Sequence, residues 1–172
     1  ETKVDDPFFP EADFESHGYQ VSFHGQKSYN GVALISKYPL KDVRLGLSGE
    51  LPHEDQANRL SAQKRVISAL VNDIRVVNVY VPNGSALNSE KYDYKIQWLK
   101  CLNRYLKAQE KRKEPLCILG DFNIALEARD IHNPNRLTGG IMASEKERDA
   151  LKEVLGERLK DVFRIFETES EH

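Results

Sequence analysis

Two cysteines, one methionine and one tryptophan are all that 172 residues contain of those types. So few thiols exclude a disulfide-stapled scaffold, and no Cys-x-x-Cys pair is present to hold a metal or run redox chemistry. Cys101 falls in a helical pattern and Cys117 in an apolar strand pattern, which reads as two free, buried thiols in a reducing compartment, with a disulfide between them as the lesser alternative. No apolar run approaches the roughly 18 residues of a membrane span. The opening stretch ETKVDDPFFP is acidic and lacks the basic-then-apolar layout of a signal peptide, so a cytoplasmic location is expected. A net charge of −2 gives no global basic field, which leaves a local basic patch as the only electrostatic route to nucleic acid. Neither a glycine-rich phosphate loop nor a nucleophile elbow occurs. His17, His24, His53, His132 and His172 stand at no metal-ligand spacing and read as surface or packing residues. The chain begins with Glu1 and its methionine is Met142, so a processed, truncated or partial chain is expected.

What remains is an ordinary globular balance, 40% hydrophobic and 30% charged, sufficient for one domain over residues 1–172. No repeat, low-complexity tract or linker divides it. Gly18–His24 and Gly31–Lys37 carry apolar and β-branched residues between turn formers and read as strands. QKRVISALV and IRVVNVYV flank Asn72-Asp73, a hairpin signal. From Glu90 to Lys113 the spacing becomes helical, with Tyr92, Ile96, Leu99, Asn103 and Leu106 on one face and Lys111–Lys113 in the last turns. A second helix opens at Ser144 with a capping box to Glu147, turns Leu151, Val154 and Leu155 inward, and stops at Gly156. Strands with helices packed outside imply a layered α+β or α/β sandwich.

The chemistry concentrates in LCILGDFN, residues 116–123. A short buried strand ends at Gly120, and side chains at i and i+2 of an extended chain share a side. Asp121 and Asn123 would then project together if the strand persists. An aspartate beside an asparagine suits either a hard cation held through oxygen or a water to be oriented and deprotonated. A simple turn closing its own hydrogen bonds is the alternative. Tyr80, near the end of NVYVPNG, could offer its hydroxyl to a phosphate oxygen or rest as an amphipathic packing residue. Arg59, Lys64 and Arg65 bring positive charge near the hairpin, and Lys64 and Arg65, adjacent on a strand, face opposite ways. The loop Gly25–Gly31 mixes a cation, an aromatic and amides, as a phosphate-tracking loop or a plain surface loop would.

Taken in order, ETK, YNGVALISK, NVYVPNG and GDFNIA resemble the exonuclease III family of DNA-repair nucleases, within the endonuclease/exonuclease/phosphatase superfamily. SEKYDYKIQWL and Asp161–Arg164 (DVFR) look alike too, so the likeness runs along essentially the whole chain. It implies a four-layer α-β-β-α sandwich, incomplete in this chain, and a metal-dependent phosphodiesterase of base excision repair. Such an enzyme cleaves beside abasic sites and removes nucleotides from 3′ ends of double-stranded DNA. By motif, Tyr80, Asp121 and Asn123 would be catalytic. Glu1, Asp121 and Asn123 would hold Mg²⁺, or Mn²⁺ in its place. Tyr29, Arg59 and Asn83, placed in loops, would meet the DNA. A complete protein of this kind is expected to be a monomer with no membrane partner.

The pattern also departs from the family. An asparagine-bearing strand before Glu1 is missing, as are later strands with a further Asp and a Ser-Asp-His motif; Ser170–His172 is not that motif. Bare core faces, poor solubility and little turnover are therefore expected of this stretch alone. A non-catalytic fragment or DNA-binding module of the same fold is the alternative function. A phosphatase of lipid or inositol phosphates is a third, disfavoured by the nuclease-like YNGVALISK and NVYVPNG.

Overall fold

The computed structural model of the chain describes residues 1–51, 53–109, 111–133, 135 and 139–167. Two compact units result, Glu1–Val81 with Tyr105–Phe122, and Pro82–Arg104 with Asn123–His172.

In the first unit, β1 (Gln20–His24) and β2 (Val32–Ser36) form an antiparallel pair. A second sheet contains β3 (Lys41–Leu45), β4 (Val66–Val71), β5 (Ile74–Tyr80) and β6 (Leu116–Asp121), in that order across the sheet. Its strands are antiparallel except β5 and β6, which run parallel. The expected hairpin joins β4 to β5, and Asn72 and Asp73 take φ of 47° and 64°, as a tight primed turn requires.

Alternation along the strands layers this unit. Val32 and Leu34 of β2 pack on Ile67 and Ala69 of β4, with Val76 and Tyr80 against them, so the two sheets meet face to face. Phe23 is in register with Ala33 and therefore turns to the outer face of the small sheet. There its ring stacks on Phe9 at 4.4 Å, and Phe9 stacks on Phe14 of α1 (Glu11–Ser16) at 5.9 Å. On the far side of the large sheet, Tyr105 of α3 (Glu90–Gln109) donates its hydroxyl to Ser68 Oγ at 3.2 Å. Helix, sheet, sheet and helix succeed one another, the α-β-β-α layering that the resemblance implied. A further short helix, α2 (Asp55–Ser61), buries Ala57 and Leu60.

The second unit holds the first turns of α3, then α4 (Glu145–Leu155) and α5 (Val162–Phe166). The capping box at α4 forms as expected between Ser144 and Glu147, Leu151 and Val154 are buried, and Gly156 closes the helix at φ 53°.

Three expectations are corrected. β6 is not a buried strand: Leu116 and Ile118 are half-buried, while Cys117 and Leu119 are exposed. The cause is its place at the sheet edge, where only β5 pairs with it among the described residues. Neither Cys101 nor Cys117 is in a disulfide, as expected, but only Cys101 is buried. α3 is described over Glu90–Gln109, and Lys111–Lys113 is not helical: Arg112 N–H turns back to the Gln109 carbonyl at 2.9 Å ahead of Pro115. Ser170–His172 lies outside the described residues. Among the described residues no helix is long and apolar enough to cross a membrane.

The parallel ladder depends on Gly120, at φ +129°. A Cβ there would collide with the Val79 carbonyl oxygen and lie 2.8 Å from Asn78 Oδ1. Gly120→Ala is expected to cost about 2 kcal/mol or more, read as a lowered urea midpoint.

Arg75, 1% exposed, donates to the Asp42 carboxylate at 2.5 Å and to the Asp42 carbonyl at 2.9 Å. A hydrogen bond from Arg44 holds the Asp42 carboxyl below its usual range; burial opposes this, and Arg75 adds to the lowering. A carboxylate so depressed contributes its full stability above the ordinary Asp value and loses it as the pH falls through the lowered one. Thermal midpoints should therefore drop on acidification below about pH 4. Asp42→Asn should remove about 2 kcal/mol at neutral pH, Asp42 being partly in water, and flatten that acid limb.

Candidate functional site

Tyr80 and Asp121 end neighbouring parallel strands and are direct register partners. Partners in register point to the same face of a sheet, so phenol and carboxylate leave together. The next step of the ladder, Val81 N–H to the Asp121 carbonyl at 2.9 Å, carries the pairing past Tyr80. Asp121 is exposed and Tyr80 half-buried. Arg65 lies over the Tyr80 ring, its guanidinium carbon 4.6 Å from the centroid, and donates to the Tyr80 carbonyl at 3.2 Å. Gln63 Oε1 accepts from Arg65 Nε at 2.8 Å and steadies the cation. Of the two adjacent cations, Arg65 is thus the one turned onto Tyr80.

Glu1 is fastened to the loop that bears Tyr29. Its Oε1 accepts the Asn30 N–H at 2.6 Å, and its Oε2 pairs with Lys3 Nζ at 3.3 Å. Main-chain bonds Thr2 to Gly31 (3.0 Å), Lys3 to Asn30 (2.9 Å) and Ser28 to Lys3 (3.1 Å) tie ETK to the loop like a short strand. Burial alone would raise the Glu1 carboxyl, but the Asn30 amide and the Lys3 ammonium outweigh it and hold the acid below its usual range. The loop needs left-handed backbone at Ser28 (φ 69°), Asn30 (59°) and Gly31 (82°), and a Cβ on Gly31 would strike the Thr2 hydroxyl. This conformation leaves Tyr29 71% exposed at the surface. Arg59 is also exposed, but it stands on α2 rather than in the expected loop, because residues 55–61 complete a helix with Ala57 and Leu60 inward.

In the second unit, Asn83 Nδ2 donates to Asn123 Oδ1 at 3.2 Å. Asn83 Oδ1 accepts from Ser85 N–H at 3.1 Å, which fixes the amide's orientation in its turn. Asn123 takes φ +50°, and β6 has already ended at Asp121. The extended alternation expected from Asp121 to Asn123 therefore does not hold. A local left-handed turn places Asn123 instead.

The carboxylates of Glu1 and Asp121 and the amide oxygen of Asn123 are hard donors, suited to Mg²⁺ or Mn²⁺ more than to a thiophilic metal. Among the described residues no three His, Cys, Asp or Glu side chains gather as a metal cage.

Sequence reasoning missed two supports. Arg65 over Tyr80 had no signal beyond its charge. Lys95 and Glu147, both fully buried and paired at 2.6 Å, had one: Lys95 sits on the Tyr92–Ile96–Leu99 stripe, where an apolar residue is expected. Replacing Arg65 by Met should shift the Tyr80 ring-proton resonances and cost about 1 kcal/mol in urea unfolding, with little change at Asn123 amide resonances.

A family model described as the Endonuclease/Exonuclease/phosphatase family matches residues 1–167. Exodeoxyribonuclease III of Haemophilus influenzae is 36% identical over 136 residues, covering 76% of this chain and 48% of that protein. A variant of the 3′ phosphatase NExo from Neisseria, solved with a product DNA hairpin, superposes with a TM-score of 0.87 at 37% identity over 98% of this chain and 62% of its own. An AP endonuclease from Archaeoglobus fulgidus gives 0.85 at 39% identity, covering 96% and 61%. The chain spans about half the length of the curated relative and about three fifths of the solved ones.

Proposed function

The chain belongs to the endonuclease/exonuclease/phosphatase family, and from that premise we propose that it serves hydrolysis of phosphodiester bonds in DNA, as a repair nuclease of the exonuclease III and abasic-endonuclease type. The observation that carries the reading is the register pairing of Tyr80 with Asp121 at the ends of adjacent parallel strands. An acceptor for a water proton and a donor for a phosphate oxygen leave one sheet face side by side.

Hydrolysis forms a bond from a water oxygen to phosphorus and breaks the bond from phosphorus to the departing sugar oxygen. Asp121 orients the attacking water and accepts its proton as that bond forms. Asn123 donates its amide N–H to a non-bridging oxygen, where negative charge grows, and accepts from Asn83 through its own oxygen. Tyr80 donates its hydroxyl to the scissile phosphate, with Arg65 fixing the ring against rotation. Glu1, Asp121 and Asn123 are the residues that would hold a divalent ion, Mg²⁺ or Mn²⁺, whose charge would offset that of the phosphate. Exposed Tyr29 and Arg59, with Asn83, meet the sugar-phosphate backbone of a duplex carrying an abasic site or a 3′ end.

Asp121→Asn is nearly isosteric and removes the proton acceptor. Turnover of abasic duplex with Mg²⁺ should fall by about 10² to 10⁴ while DNA affinity stays close to that of the unmodified protein. Equal turnover in the two proteins would overturn the assignment, and a protein that binds duplex with no turnover in either form would be a binding module.

A further inference from the structure

Lysine is a poor choice for a helix's inward stripe, yet Lys95 is 0% exposed there, as is Glu147. A buried ammonium must find both a counter-charge and acceptors for its protons. Glu147 Oε1 supplies the charge at 2.6 Å. Two main-chain carbonyls accept from it as well, that of Asn123 at 2.7 Å and that of Asn83 at 3.2 Å. One cation therefore grips the backbones of the two asparagines whose carboxamides are bonded to each other at 3.2 Å.

The grip is anchored from behind. Glu147 Oε1 also accepts the Met142 N–H at 3.1 Å, and Oε2 accepts the Ser144 N–H at 3.1 Å and its hydroxyl at 2.5 Å. Ser144 in turn is bonded to the Tyr92 hydroxyl at 2.7 Å. A capping box needs only one oxygen of its glutamate, and here the second is aimed at Lys95. Space is reserved for the lysine stem too. A Cβ on Gly84, at φ +90°, would lie 3.1 Å from Lys95 Cδ and 3.0 Å from Ile141 Cδ1.

What is gripped is strained. Asn123 holds φ +50°, Ser85 +58° and Met142 +67°, all left-handed conformers that persist only where surrounding bonds over-determine them. Met142 is bonded to Glu147 through its N–H, and Asn123 to Lys95 through its carbonyl. Removing the cation leaves the Asn123 carbonyl without its 2.7 Å donor and frees the peptide to relax toward ordinary angles.

We propose that Lys95, charge-balanced by Glu147, is a positioning residue. It clamps the main chains of Asn83 and Asn123 so that their carboxamides meet a backbone phosphate in one orientation. This rests on the reading in which Asn123 stabilises charge on the scissile phosphate. Lys95 touches no substrate and acts through the two asparagines.

The test compares the intact protein with Lys95→Met and with K95M/E147L, in which an apolar pair replaces the ions, an exchange that buried pairs often tolerate. On abasic duplex with Mg²⁺, kcat per folded molecule should fall about 100-fold with KM little changed, the mark of lost orientation rather than lost binding. A folded variant whose kcat stays within about threefold of the parent overturns the proposal. A readout independent of turnover is NMR of the unmodified protein. Couplings across hydrogen bonds should link Lys95 Nζ to the carbonyl carbons of Asn83 and Asn123, and both carboxamide ¹⁵N signals should move in K95M. Missing couplings overturn the clamp even if both variants fail to fold. Couplings present in a protein without turnover overturn the nuclease reading and leave the clamp standing.

Discussion

The parallel ladder between β5 and β6 is the constraint on which the first unit's chemistry depends. Parallel strands cannot be joined by a tight turn, so α3 and its flanking loops must return the chain to the start of the sheet. The reward is that both strands end at the same edge, and Tyr80 and Asp121 arrive there in register. Gly120 sits one step before that edge because the ladder admits no side chain against the Val79 carbonyl. A residue that looks like a turn former in the sequence is thus a packing requirement of the strand, and Asp121 is its last member rather than the first residue of a loop.

Apolar burial and buried charge have different tasks here. Val32, Leu34, Ile67 and Ala69 join the sheets without direction, and any similar volume would serve. Buried cations are directional. Arg75 spans from β5 to the main chain and carboxylate of Asp42 on the bulged edge strand β3. Lys95 does the same for the turns after Tyr80 and after Asp121. Each replaces hydration with main-chain carbonyls, so each fixes irregular backbone that no ladder could hold.

Much of the architecture was legible in local composition. Apolar and β-branched runs between turn formers marked β1 and β2, the runs flanking Asn72-Asp73 marked β4, β5 and their hairpin, and Ser144 with Glu147 marked the start of α4. The elements that escaped are short or charged. β3 reads KDVRL with one half-buried residue, and α1 and α2 have six and seven residues, too few for a period to emerge. β6 was recognised but its burial was not, since an apolar strand reads alike at the centre and at the edge of a sheet. Residue types marked the site candidates, and the motif order marked the family. Supports such as Arg65 and Lys95 arise from contacts between residues 15 and 52 positions apart, which no local pattern encodes.

Left-handed backbone occurs beside several of the candidate residues, as it does in the β4–β5 hairpin and at Asp42, Asn88 and Met142. Asn30 holds Glu1 by its amide, Ser28 and Asn30 flank the exposed Tyr29, Ser85 follows the Asn83 turn, and Asn123 is itself left-handed. Asparagine and serine tolerate that region because short polar side chains can satisfy the local main chain. Around the candidate residues the left-handed stretches are also bonded, by a carboxylate at Asn30, an amide oxygen at Ser85 and a buried ammonium at Asn123. Strain maintained by specific bonds is how a surface keeps polar groups ready for a ligand without reorganising when it arrives. That preorganisation, more than the identity of any one side chain, is what would let groups as weak as a carboxamide and a phenol act on a phosphate.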